Sequence, residues 1–238
     1  MSLNEYNLMI RMLTDVAKAL GQDLCQQFVF VGGCTTGLLL TDDTSREDVR
    51  HTDDVDLVVS VASQIEWYDL TERLGQLGFR QSIINDDNVV CRFRLGDLQV
   101  DFMPDNEEIL GFTNRWYAQS LTNTVSFQLE SNLKIKLLTS PYFIATKIEA
   151  FKGRGRNDML GSRDIEDIFI LLDGRNEVVE EIFESDEELK KYLSEEMLKI
   201  KSHDDYSYML QGTFQNEQRE NRLEKVINAI INKWPVYS

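Results

Sequence analysis

The run TDDVDLVVSV, residues 52–61, sets Asp54 and Asp56 two positions apart inside an apolar stretch rich in valine. Read as a strand, it projects residues i and i+2 to one side, so the two carboxylates stand together while Val55, Leu57 and Val59 point the other way. Like charges at that spacing repel and resist desolvation, and the arrangement is tolerable only beside a cation or hydrogen-bond donors. A hard divalent cation such as Mg²⁺ meets that need and would bridge to phosphate oxygens.

Residues on either side extend the pattern. The segment VVCRFRLGDLQVDFM, residues 89–103, alternates on both sides of Leu95-Gly96-Asp97-Leu98, which predicts a hairpin with glycine at the first turn position. In that register Phe93 faces Val100 and Arg92 faces Asp101, with Arg92, Arg94, Gln99 and Asp101 on one face. Asp101 becomes a third carboxylate if the hairpin lies beside the Asp54–Asp56 strand, and three carboxylates can hold two metal ions about 4 Å apart. Arg92 and Arg94 would either pair with Asp101 or reach a phosphate. Upstream, FVFV reads as a buried strand delivering Gly32 and Gly33 into a helix start. Glycines there let the backbone approach a phosphate, helix-terminal amides favour its charge, and Thr35 or Thr36 would add a hydroxyl.

The rest of the chain predicts an α+β fold: a mixed β-sheet with flanking helices, then a helical C-terminal part. Helical spacing covers residues 5–20, with Gly21 as the stop, and SQIEWYDLTERLGQLG, capped near Gly78. From Pro141 onward the pattern is helical, including PYFIATKIEAFKGR, SRDIEDIFILLDG, the acidic stretch about 177–200 and NRLEKVINAIINKW. A boundary near 138 gives expected domains 1–138 and 139–238.

With 41 acidic against 25 basic residues, the net charge of −16 excludes broad coating of nucleic acid and binding to anionic lipid, so any phosphate contact must come from a local basic patch. Lys152, Arg154, Arg156 and Arg163 form the densest such cluster. The three cysteines lack metal-ligand spacing, which suits reduced thiols and a cytoplasmic setting. No apolar run approaches the about 18 residues of a membrane span, so no membrane partner is expected.

Taken in order, VGG after one strand, DVD on the next and the aspartate of VDFMP resemble the nucleotidyltransferase superfamily of the DNA polymerase beta and kanamycin-type aminoglycoside enzymes. The run ATKIEAFKGRGRNDMLGSRDIEDI is similar to a lysine followed by an Arg-Asp-x-x-Asp helix in the abortive-infection toxin branch and its tRNA-modifying relatives. The resemblance spans residues 28–172. It implies that Gly32 and Gly33 line the triphosphate of an NTP, with Thr35, Arg154 and Arg156 as further nucleotide contacts. Asp54, Asp56 and Asp101 would bind Mg²⁺ or Mn²⁺, with Asp101 helping to activate the attacking hydroxyl. Lys147 would hold phosphate charge, and Asp164 or Asp167 would organise its helix or orient substrate. The chain departs from the pattern in carrying Gly33 and Cys34 where a serine commonly follows the first glycine, and in a longer spacer before Asp54. The implied activity is transfer of a nucleoside monophosphate from an NTP to an RNA or tRNA acceptor, with an antitoxin-like protein as a partner. The alternatives are an aminoglycoside-type small-molecule acceptor, or a non-catalytic nucleotide-binding or protein-interaction module.

Overall fold

The computed structural model describes residues 3–42, 45–46, 49–50, 52–81, 90–153 and 158–233. Arg154 and Arg156 lie outside them. The chain divides into two compact units, one formed by residues 2–35 and 51–139, the other by residues 36–50 and 140–238, with Met1.

The first unit carries a seven-stranded mixed sheet. Its strands are β1 (Phe28–Val31), β2 (Asp54–Val59), β3 (Arg80–Gln81), β4 (Arg92–Leu95), β5 (Leu98–Pro104), β6 (Thr124–Glu130) and β7 (Leu133–Leu138), in the order β3-β4-β5-β2-β1-β7-β6. Neighbouring β1 and β2 are antiparallel, whereas β2 and β5 run parallel. Helix α1 (Leu3–Cys25) packs on this sheet, and Gly21 breaks it with φ 72° and ψ 162° before a last turn to Cys25. The predicted stop at Gly21 is therefore a kink within a longer element.

Alternation along the strands sorts side chains by face. One face buries Phe28, Phe93 and Phe102, whose rings meet with centroids 5.2 Å and 5.4 Å from that of Phe102; Phe79 joins at 5.2 Å. Aromatic packing of this tilted and edge-on kind adds to simple area burial. It anchors the strands that carry the aspartates on their other side.

After β1 the chain makes a 3-10 turn, Gly33–Thr35, which belongs to the first unit, and helix α2 (Thr36–Leu39), which belongs to the second. The helix expected after Gly33 is thus a single α-helical turn, too short for peptide dipoles to sum to an appreciable terminal charge. Helix α3 (Gln64–Gln76) starts at Ser63, whose side chain accepts from the Glu66 amide, and closes before Gly78 at φ 96°. The short helices α4 (Glu107–Leu110) and α5 (Tyr117–Ser120) complete the first unit.

The second unit is helical. It comprises α2, α6 (Ser140–Gly153), α7 (Arg163–Gly174), α8 (Val178–Glu184), α9 (Glu187–Lys201), α10 (Tyr206–Phe214) and α11 (Glu217–Lys233). The acidic stretch 177–200 forms two helices, because Ser185 and Asp186 take extended ψ values of 176° and 148°. Helix α7 lies at the centre, against α2, α6, α10 and α11. Nearly all of it is buried, including Asp164, Asp167 and Asp173. A helix that buries three carboxylates must pair each of them. Among the described residues, no helix is long and apolar enough to cross a membrane.

Candidate functional site

On the face of the first unit's sheet opposite the aromatic cluster, two rows of polar side chains cross the strands. Register aligns Arg92 of β4 with Asp101 of β5, Asp101 with Asp56 of β2, and Asp56 with Val31 of β1. The adjacent row aligns Arg94 with Gln99 and Gln99 with Asp54. Side chains in register on neighbouring strands share a face and lie within contact distance, so Asp54, Asp56 and Asp101 stand on one surface. The hairpin register predicted for Arg92–Asp101 and Phe93–Val100 is the observed one.

Gly32 abuts Asp56. Its φ is +77°, and a Cβ added there would lie 2.0 Å from Asp56 Oδ2. The end of β1 therefore needs glycine twice over: for its left-handed backbone and for the space that the carboxylate occupies. Gly32 is half-exposed, whereas Gly33 and Thr35 are buried. The Thr35 hydroxyl donates to the Gly32 carbonyl at 2.9 Å and the Cys34 thiol to the Val31 carbonyl at 3.3 Å. The Thr35 hydroxyl, expected near a phosphate, thus braces the turn, as does Cys34.

Asp101 is held by a fork. Arg92 Nε donates to Oδ1 at 3.1 Å and Nη2 to Oδ2 at 3.0 Å, and this pairing raises the arginine pKa further. Arg94 turns instead to the hairpin, donating to the Asp97 carbonyl at 3.2 Å. Beside the carboxylates, burial pushes the Cys91 thiol up to about 12, with Asp101 adding to the effect. It is not a nucleophile at neutral pH.

The donor chemistry fits a hard divalent cation at Asp54 and Asp56. Mg²⁺ is commonly held by one or two carboxylates, with water and substrate phosphate completing its shell. The third expected ligand, Asp101, has both oxygens on Arg92, and no set of three acidic, histidine or cysteine side chains converges as ligands among the described residues.

Lys147 and Asp164 belong to the second unit. Lys147 is 4% exposed, and its Nζ donates to Asp164 Oδ1 at 3.0 Å and to Asp167 Oδ2 at 2.6 Å. Burial disfavours the ammonium, but Asp167 and Asp164 more than offset this and its pKa is raised. Asp164 also opens α7 behind the Ser162 cap, whose hydroxyl accepts from the Ile165 amide. Arg50 adds a second cation, its Nη2 3.5 Å from Asp167 Oδ2, while Asp167 Oδ1 and Arg50 Nε are buried without a hydrogen-bond partner among the described residues. Sequence reading passed over Arg50; its only signal was a basic residue in an acidic stretch. Lys152, counted in the basic patch, is committed to Glu149 at 2.9 Å and Glu196 at 3.4 Å and sits over the Tyr192 ring. Arg163 is exposed.

The sequence matches no protein-family model and no curated protein.

Proposed function

We propose that the protein is a nucleotidyltransferase that uses Mg²⁺ or Mn²⁺ to move a nucleoside monophosphate from an NTP to an acceptor hydroxyl or phosphate, releasing pyrophosphate. The observation that carries this reading is the alignment of Asp101 with Asp56 on parallel neighbouring strands, with Asp54 on the same face and the glycine backbone of Gly32 against Asp56. Separate segments thereby gather three negative charges beside a backbone that admits close approach, as metal-assisted phosphoryl transfer requires.

Asp54 and Asp56 would hold the cation. When bound, it neutralises charge on the triphosphate and makes the α-phosphorus a better electrophile. Gly32 gives the Asp56 carboxylate the room it occupies at the end of β1. An acceptor oxygen forms the new bond to the α-phosphorus as the bond to the bridging β-phosphate oxygen breaks. Pyrophosphate leaves with that electron pair, and an aspartate of the face takes the acceptor proton. Positioning and charge account for the rate. Lys147 and Asp164, paired with each other, are assigned to the support of the helical unit.

RNA, tRNA included, is the proposed acceptor on the strength of Arg163 and the neighbouring Arg154 and Arg156. A second reading, a cationic small molecule such as an aminoglycoside, gains from the commitment of Lys152 to Glu149 and Glu196, which removes one charge from the basic patch. The test is transfer of label from α-³²P-NTPs with Mg²⁺, to tRNA in one arm and to an aminoglycoside in the other, comparing wild type with Asp54→Ala and Asp56→Ala. Label on one acceptor, lost in both variants, is expected. Transfer that is equal in wild type and variants overturns the assignment.

A further inference from the structure

We propose that Arg92 is the built-in counter-ion of the acidic face and competes with a divalent cation for Asp101. The inference rests on the reading of that face as a metal-dependent transfer site.

Three facts converge on it. Arg92, Asp101 and Asp56 form one in-register row, so the guanidinium, one carboxylate and the next follow each other across three strands. The fork takes both oxygens of Asp101, the two atoms a cation would need. The Arg92 side chain is 33% exposed against 12% for Asp101, so the arginine is the partner with space to leave.

A cation on Asp101 and the guanidinium fork oppose each other by charge, since both are positive and meet the same carboxylate. Recruiting Asp101 to a metal held by Asp54 and Asp56 therefore includes the cost of releasing Arg92, and the affinity of the free protein for metal is lowered accordingly. A released guanidinium carries donors matched to a pair of phosphate oxygens. A polyphosphate that accepts it offsets the release, so metal and polyphosphate bind with positive coupling. The bare protein would then hold metal weakly and the polyphosphate complex would hold it firmly.

The test is Mn²⁺ alone, titrated into the full chain without nucleotide and read as loss of the free-ion electron paramagnetic resonance signal. Arg92→Gln is expected to bind Mn²⁺ about tenfold more tightly than wild type, within the usual range for coupled sites, and the gain should vanish in Arg92→Gln combined with Asp101→Asn. Should Arg92→Gln not fold, Arg92→Lys keeps a charge but lacks the fork, and a smaller gain is expected. Equal or weaker binding in the Arg92 variants overturns the competition and leaves Arg92 a brace. Absence of Mn²⁺ binding in wild type and variants alike overturns the metal site itself, and the competition with it.

Discussion

Lys147 Nζ lies 2.6 Å from Oδ2 of Asp167, a side chain with no solvent exposure, and 3.0 Å from Oδ1 of Asp164. A lysine placed to hold a substrate phosphate would keep a face toward solvent; this one spends its charge inside the helical unit, tying α6 to α7. Removing one partner of a buried pair strands the other, so Lys147→Met should cost about 3–5 kcal/mol of stability. Combining it with Asp164→Asn and Asp167→Leu should recover part of the loss. Urea unfolding followed by circular dichroism measures both, and a cost below about 1 kcal/mol for the single variant, in the range of exposed ion pairs, would contradict the pairing.

The same pair sets a pH dependence. The folded pKa of Lys147 is raised above its ordinary value of 10.5, so the folded state binds the proton more tightly than the unfolded chain. Its contribution is present in full below the unfolded pKa and is lost as pH rises through the folded one. Unfolding midpoints measured upward from pH 9 should fall more steeply for wild type than for Lys147→Met.

Gly32 offers a test at the acidic face. Alanine there must adopt φ 77° and push aside the Asp56 carboxylate, which would otherwise lie 2.0 Å from the new Cβ. The left-handed backbone alone costs roughly 1–2 kcal/mol. Gly32→Ala should therefore lose stability by about that amount and lose transfer activity along with Asp56→Ala. By contrast Gly21→Ala meets no atom within 4 Å, so it should show the backbone cost with activity intact.

How much of this was legible in the sequence follows from the range of each interaction. Strand alternation and a two-residue loop are local, which is why DVD, the β4–β5 hairpin and the Arg92–Asp101 register could be read directly. That β5 lies parallel to β2, aligning Asp101 with Asp56, depends on a pairing across some forty residues and could be stated only as a condition. The β6–β7 hairpin was not picked out, because exposure on both faces of β6 blurs its alternation. Helix α10 was missed because YSYMLQGTF is rich in residues of low helix propensity and is held by packing on α7 and α11. Burial of Lys147 had no sequence signal, since an exposed and a buried helical lysine look alike until the partners Asp164 and Asp167 are placed.

Thiol accessibility is a further expectation. All three cysteines are buried thiols outside any disulfide, and burial pushes Cys25 up to about 11 and Cys91 up to about 12. Because the thiolate is the reactive form, the native protein at pH 8 should react slowly with Ellman's reagent and the urea-unfolded chain should release three equivalents at once. Fast labelling of the native state would show that the end of α1, the 3-10 turn after β1 or the start of β4 opens readily.

Asp173 closes the set of buried carboxylates on α7. Its side chain has no exposure and receives two arginines from α11: Arg219 Nε at 2.7 Å, Arg222 Nε at 2.5 Å and Arg222 Nη2 at 2.7 Å. The next residue, Gly174, presses on the segment after α2, where a Cβ would come 2.6 Å from Ser45 Cβ, and its carbonyl accepts from the amides of Thr41 and Asp42. One end of α7 thus ties α11, Thr41, Asp42 and Ser45 into the unit. Asp173→Asn keeps the shape but removes the charge that neutralises two guanidiniums, whereas Asp173→Ala also removes the acceptor of both Nε groups. The alanine variant should lose about 3–5 kcal/mol and the asparagine variant less. Gly174→Ala should loosen Thr41, Asp42 and Ser45 with a smaller global cost. Amide hydrogen exchange resolves the two effects: faster exchange at Thr41 and Asp42 alone in Gly174→Ala, and across α11 as well in Asp173→Ala. Exchange in α11 unchanged by Asp173→Ala would mean that apolar packing through Leu223, Ile227 and Ile230 holds that helix without the arginines.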